Sequence, residues 1–348
     1  MAKIDALLKL MVEYKASDLH VTSGSPPLLR INGELERVAY HELSDEEVKL
    51  LIYEIISQPE IDHFETEFDL DFAYEIEGVA RFRANVYLKH GGLGSSFRLI
   101  PHDIMTFSEL GLPPVVRELA RLRKGLVIVT GPTGSGKSTT LAAMVDLLNK
   151  ERKAHVITLE DPLEFIHENQ TCLIMQRQIG VHVESFASGL KAALREDPNV
   201  IMVGEMRDLE TISLAITAAE VGLLVFGTLH TSSAAKTVDR IIDAFPKDQQ
   251  SQIRTMLSES LKGVIAQQLL RRADGQGRVA ALEILVGNQA VSNLIREGKT
   301  FQIPSIMQTG KKIGMQILDQ HLKSLVAEGV VTSSEALIYA EDKTLFAN

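Results

Sequence analysis

Four short stretches of the chain gather glycine, lysine, hydroxyl and carboxylate side chains at spacings that suit the handling of a charged group. The first is Gly131-Pro132-Thr133-Gly134-Ser135-Gly136-Lys137-Ser138, followed by Thr139, which matches the pattern G-x-x-x-x-G-K-[ST]. Glycines let such a loop curl so that its N–H groups face phosphate oxygens, and the N-terminus of the helix that follows adds a favourable dipole. Lys137 is then expected to neutralise the β- and γ-phosphates of ATP, and the Ser138 hydroxyl to ligate Mg²⁺. A chance match arises in on the order of one chain in a hundred of this length, and a strand before with a helix after makes it rarer.

The second stretch is Glu160-Asp161-Pro162-Leu163-Glu164, three carboxylates within five positions. Beside a triphosphate they would repel the ligand unless metal or water stands between, and one of them is suited to polarise an attacking water. A solvated acidic turn is the plainer alternative. The third is Gly204-Glu205-Met206-Arg207-Asp208. Glu205 stands where a magnesium-side acid, usually Asp, is found, and its extra methylene favours contact through a metal-bound water; an acid capping the next helix is the competing reading. Arg207 beside it is a candidate for phosphate contact. The fourth is Gly227-Thr228-Leu229-His230-Thr231. A lone histidine is more often structural than catalytic, yet at a fourth strand end His230 is also a candidate γ-phosphate sensor.

The elements around these stretches explain why they could meet. The runs 126–130, 156–159, 200–203 and 223–226 are short and wholly apolar or nearly so, with helical patterns between them. Strands of that kind, buried on both faces, predict a mostly parallel sheet with helices packed around it. Ligands of open α/β sheets bind outside the carboxyl ends of the strands, where all four polar stretches lie. The last hundred residues read as helix after helix, with Gly275-Gln276-Gly277 as one turn.

The first hundred residues read as a small α+β domain. Ile4, Leu7, Leu8 and Met11 have helical spacing, Leu19 and Val21 alternate, and Leu28–Ile31 runs into the turn signal Asn32-Gly33. Ser44 with Glu47 forms a capping box before a helix through about Ser57. Between Phe68 and Ile100 the pattern is strand-like, with residues 82, 84, 86 and 88 on one face and Arg81 and Arg83 on the other. Pro101, Gly111, Pro113 and Pro114 mark residues 101–115 as a linker, which gives domains at 1–100 and 116–348.

Composition narrows the function. The 348 residues carry 36 Lys and Arg against 46 Asp and Glu, a formal charge of −10. That argues against wrapping nucleic acid, whose binding usually needs a basic surface. The single cysteine, Cys172, excludes an internal disulfide or a four-cysteine zinc site and suits a reducing compartment. Charges at Lys3, Asp5, Lys9 and Glu13 interrupt the N-terminus, and no apolar run reaches about 18 residues. A cytosolic protein is expected, without direct membrane insertion.

In this order the stretches GPTGSGKST, ITLEDPLEFIHE, NVIMVGEMRD and LLVFGTLHT resemble the Walker A, Asp box, Walker B and His box of the secretion-type ATPase superfamily. Within it, ASDLHVTSGSPPLLRINGEL near the N-terminus is similar to the opening motif of the PilT family of type IV pilus retraction ATPases, and the resemblance runs essentially end to end. It implies a RecA-like P-loop ATPase domain preceded by a smaller PAS-like domain, assembled into a homohexamer with nucleotide between the two domains of a subunit. It further implies arginines of the small domain on the phosphates: Arg83 and Arg98, with Arg81 a weaker candidate; among the acids of the strand ends, Glu164 is expected to orient the water and Glu205 to hold the Mg²⁺ shell. The implied partner is an inner-membrane pilus platform protein, which would hold a cytoplasmic motor peripherally at the membrane. An accessory retraction ATPase of the PilU branch, a DNA-translocating RecA-like motor and a nucleotide-gated scaffold are the rival readings. One departure stands out. Where the family has an AIRNLIRE helix, needed for retraction but not hydrolysis, this chain has Ala290-Val291-Ser292-Asn293-Leu294-Ile295-Arg296-Glu297, with Ser292 at the arginine position.

Overall fold

The computed structural model describes residues 2–31, 33–100 and 103–346. Asn32 of the turn signal and Pro101 of the linker stretch lie outside the described residues. The chain forms two compact units, Met1–Asp103 with Pro162–Phe165, and Ile104–Asp161 with Ile166–Asn348.

Alternation of apolar and polar residues makes the first unit a sheet with one dry face. Its strands are β1 (Asp18–Thr22), β2 (Leu28–Ile31), β3 (Glu34–Arg37), β4 (Asp69–Ile76), β5 (Ala80–Lys89) and β6 (Gly92–Ile100). They pair antiparallel in the order β3-β2-β1-β6-β5-β4. Leu19 and Val21 of β1, Phe82, Ala84 and Val86 of β5 and Phe97 of β6 are wholly buried, together with Ile4, Leu8 and Met11 of the helix Ile4–Glu13. The polar face carries Arg83 opposite Arg98, and Arg98 opposite Asp18. The capping box of Ser44 and Glu47 is present, but the helix it starts ends at Tyr53. Ser57 instead caps a second helix, Gln58–Glu67, through a capping box of its own with Glu60. A cap residue has extended backbone, so it cannot continue the preceding helix.

The second unit has β7 (Gly125–Thr130), β8 (His155–Glu160), β9 (Leu173–Gln178), β10 (Val200–Val203), β11 (Leu224–Leu229), β12 (Leu261–Arg271) and β13 (Arg278–Val286). Their order is β13-β12-β7-β11-β10-β8-β9, and every pair is parallel except β12 with β13. All residues of β7, β10 and β11 are buried, as expected for strands covered by helices on both faces. The reading of the last hundred residues as uninterrupted helices is overturned by the β12–β13 hairpin, whose turn carries Gly275 and Gly277 at φ +72° and +81°. The reason is that most of β12 is buried on both faces, which hides the two-residue alternation. Apolar residues at 261, 264, 265 and 269 then imitate helical spacing. Beyond β13 the chain is helical.

Two local contacts matter below. Asn149, in the last turn of the helix Lys137–Glu151, donates to the Glu168 carbonyl at 2.7 Å and accepts from the backbone N–H of Gln170 and Cys172 at 3.1 and 3.4 Å. Ser292, in the helix Gln289–Arg296, donates to the Ser258 carbonyl at 2.6 Å, while Arg296 donates to the Ser258 hydroxyl at 3.2 Å. The serine at this position therefore ties its helix to the last turn of the helix Gln250–Ser260. Among the described residues no helix is long and apolar enough to cross a membrane.

Phe97 lies at the centre of the first unit's dry face with no exposed surface. Phe97→Ala is expected to cost about 3–5 kcal/mol, read as a lower urea midpoint for the first unit. A loss under about 1 kcal/mol would show that the face is not a close-packed core.

Candidate active site

Register brings the polar stretches of the second unit together. Thr130 of β7 pairs with Leu229 of β11, Gly227 with Val203 of β10, and Val203 with Leu159 of β8. The four strands end within about two residues of one level, so Gly131, His230, Glu205 and Asp161 leave the sheet along one edge. Hydroxyls lash two of these ends. The Thr130 hydroxyl accepts from the Thr231 backbone N–H at 2.9 Å and lies 2.7 Å from the Thr231 hydroxyl, which in turn meets that of Thr237 at 2.7 Å.

A chain of polar contacts runs along the edge. Lys137 Nζ donates to the carbonyls of Gly131 at 2.9 Å and Pro132 at 3.0 Å and reaches His230 Nδ1 at 3.5 Å. His230 Nε2 is 3.1 Å from Glu205 Oε1, which lies 2.5 Å from Arg207 Nε. An ammonium can only donate, so Nδ1 is the acceptor and a proton on Nε2 serves the carboxylate. His230 thus links the loop lysine to the acid of the neighbouring strand. Burial pushes the Glu205 carboxyl up, but the Arg207 guanidinium and His230 outweigh it and hold the group below the usual carboxylate range.

The loop is built for an anion. Gly136 caps the helix Lys137–Glu151 at φ +85°, a conformation that favours glycine. Lys137, Ser138 and Thr139 form the first turn, where N–H groups have no partner within the helix. Among the described residues no group of three His, Cys, Asp or Glu side chains could cage a metal. The oxygen donors Ser138 and Glu205 suit a hard cation that takes its remaining ligands from phosphate and water, which is how Mg²⁺ is usually held.

The other candidates fall into distinct places. Glu160 is buried and accepts from Thr158 Oγ1 at 2.7 Å and Gln176 Nε2 at 3.2 Å. Asp208, not Glu205, caps the next helix, accepting from the Thr211 N–H at 2.8 Å. Glu164 is half-buried and belongs with Pro162–Phe165 to the first unit, as do Arg83 and Arg98. There Arg98 Nε bonds Asp18 at 2.8 Å and Arg83 approaches Asp71 at 3.9 Å. Both line a polar groove of about 260 Å³ with Asn85 and Ser96. Sequence reasoning missed Gln267 of β12, whose amide contacts the loop; taking β12 for a helix removed the signal that would have placed it.

The model of the type II/IV secretion system protein family matches residues 1–283. The chain belongs to that family. This family member is 50% identical over 333 residues to the type IV pilus retraction ATPase PilT of Pseudomonas aeruginosa, covering 96% of each chain. It is 48% identical to a twitching motility protein of Neisseria gonorrhoeae, over 92% of this chain and 88% of that one. A crystal structure of the pilus retraction motor PilT with bound ADP superposes with a TM-score of 0.92 at 43% identity, covering 99% of this chain and 98% of the other. The family member is thus a two-unit α/β ATPase with a nucleotide-binding loop.

His167, in the stretch that follows β8, is buried, and burial pushes its imidazole down to about 4, with Asp146 opposing weakly. The native state resists protonating a base that titrates near 6.5 when unfolded. Stability is therefore full above about pH 6.5 and falls as the pH drops from there toward 4. His167→Gln is expected to flatten that limb by an amount on the order of 3 kcal/mol, read from urea midpoints between pH 7 and 4. An unchanged slope would remove His167 as its source.

Proposed function

We propose that this secretion-family ATPase is the motor that powers type IV pilus retraction, drawing the fibre down by disassembly at its base and driving twitching motility. The observation that carries the reading is the contact chain Lys137–His230–Glu205–Arg207 at the mouth of the phosphate-binding loop, in a chain similar end to end to retraction ATPases. It works as a homohexamer on an inner-membrane platform protein, held peripherally at the membrane through that partner. Residues 1–100, 101–115 and 116–348 are its small domain, linker and ATPase domain.

Hydrolysis proceeds by direct attack of water on the γ-phosphorus, with positioning and charge stabilisation supplying the rate. Backbone N–H groups of residues 131–139 and the Lys137 ammonium hold the phosphates. Ser138 and Glu205 would hold Mg²⁺, which would supply positive charge to offset that of the phosphates. Glu164 orients the water, accepting its proton as the bond to phosphorus forms and the bond from phosphorus to the bridging oxygen breaks, with ADP leaving on that oxygen. Arg83, Arg98 and Arg207 offset charge on the transferring group. His230 exchanges its Lys137 contact when the lysine turns to a γ-phosphate, and reports that exchange to Glu205.

Lys137→Ala is expected to lower phosphate release by about 10²-fold or more while the ring still sediments as a hexamer, and to fail to restore retraction in a deletion strain. Near-parent turnover would remove the loop from the mechanism. The two glutamates separate by step. Glu164→Gln binds ATP but scarcely cleaves it in quenched flow, whereas Glu205→Gln slows cleavage with a raised Mg²⁺ requirement. Normal cleavage by Glu164→Gln would move the water-orienting role to Glu160 or Asp161.

A further inference from the structure

One side chain of β12 meets the phosphate-binding loop. Gln267 is 4% exposed and follows Ala266, the partner of Thr130 at the end of β7. Its Nε2 donates to the Ser135 carbonyl at 2.6 Å, and its Oε1 accepts from the Thr140 hydroxyl at 2.8 Å. A carbonyl can only accept, so the Ser135 contact fixes which end of the amide is nitrogen. The loop's glycines are shaped around this residue. A Cβ on Gly131 would lie 2.3 Å from the Gln267 carbonyl oxygen, and one on Gly136 would lie 2.8 Å from Gln267 Nε2.

The carbonyl of Ser135 and the N–H of Gly136 belong to one planar trans peptide and point to opposite sides of it. Drawing the Ser135 oxygen onto Gln267 therefore turns the Gly136 N–H away from β12, toward the open side of the loop where an anion would lie. Thr140, one turn into the helix Lys137–Glu151, pins the other end of the amide. Loop and helix are thereby set against each other by a single buried group, and an N–H aimed in advance does not have to be ordered when phosphate arrives.

We propose that Gln267 is a positioning residue for nucleotide binding, acting by fixing the Ser135–Gly136 peptide so that Gly136 presents its N–H to a phosphate. The assignment rests on the reading of residues 131–139 as the phosphate-binding loop. It concerns affinity rather than chemistry, since the Gly136 N–H serves the ground state and the transition state alike.

The test is ADP titration by calorimetry with Gln267→Met, which keeps length and apolar stem but makes neither bond. The dissociation constant is expected to rise about tenfold, with the melting midpoint of the nucleotide-free protein within a few degrees of the parent. The KM for ATP should rise by a similar factor with kcat within about threefold. Thr140→Val should move both constants the same way by less, and Thr140→Ser should restore them. An ADP constant within twofold of the parent in Gln267→Met, or a loss confined to kcat, overturns the proposal. Should Gln267→Met not fold, Thr140→Val decides: unchanged ADP affinity overturns it, and so does a Thr140→Val that also fails to fold. A parent that does not bind ADP overturns the loop reading and this proposal together. Binding that Lys137→Ala abolishes and Gln267→Met keeps overturns this proposal alone.

Discussion

β7 has no exposed residue and is flanked in parallel by β11 on one side and β12 on the other. A slip of one residue would move its end by about 3.3 Å and exchange which side chains face which layer of helices. Gly131 could then no longer sit against the Gln267 carbonyl, where even a methyl group does not fit. Pairing register, held by burial on both faces, thus decides where the phosphate-binding loop begins. It also decides that His230 and Glu205 emerge beside that loop. Chemistry at the strand ends is a by-product of how tightly the strands are locked.

Charge is distributed to match. The chain is acidic overall, yet the cations Lys137 and Arg207 stand at the two ends of the contact chain, with Glu205 between them. Lys137 rests on carbonyls of its own loop. Those acceptors hold the ammonium at the mouth of the loop. Glu205 Oε1 meets both the guanidinium of Arg207 and the imidazole of His230.

Legibility of the sequence followed burial and locality. β7, β10 and β11 were legible because strands dry on both faces are short unbroken apolar runs, and the loop after β7 has a pattern that few other uses share. The face carrying Arg83 was legible from alternation across 82–86, whereas Leu88, read onto the same apolar face, is exposed. β12 was not, since Lys262, Gln267 and Gln268 break its apolar run while burial removes its alternation, and the spacing that remains imitated a helix. β9, with its mixed apolar and polar residues, lacked both kinds of signal. Within the candidate site, Lys137, Glu205, Arg207 and His230 follow strands that could be read, and the structure groups them. Gln267 depends on a contact 132 residues away in sequence, and no local pattern encodes such a pairing.

The helix Lys137–Glu151 begins at the phosphate-binding loop, and near its far end Asn149 grips three backbone groups between residues 168 and 172. Fifteen residues of helix span about 22 Å. A helix of this length moves as a stiff rod, so a tilt of about 3° at the loop carries the far end through about 1 Å. Asn149 passes that displacement to the segment entering β9, the edge strand of the sheet. The rod and its grip thus join the phosphate-binding loop to that edge of the sheet.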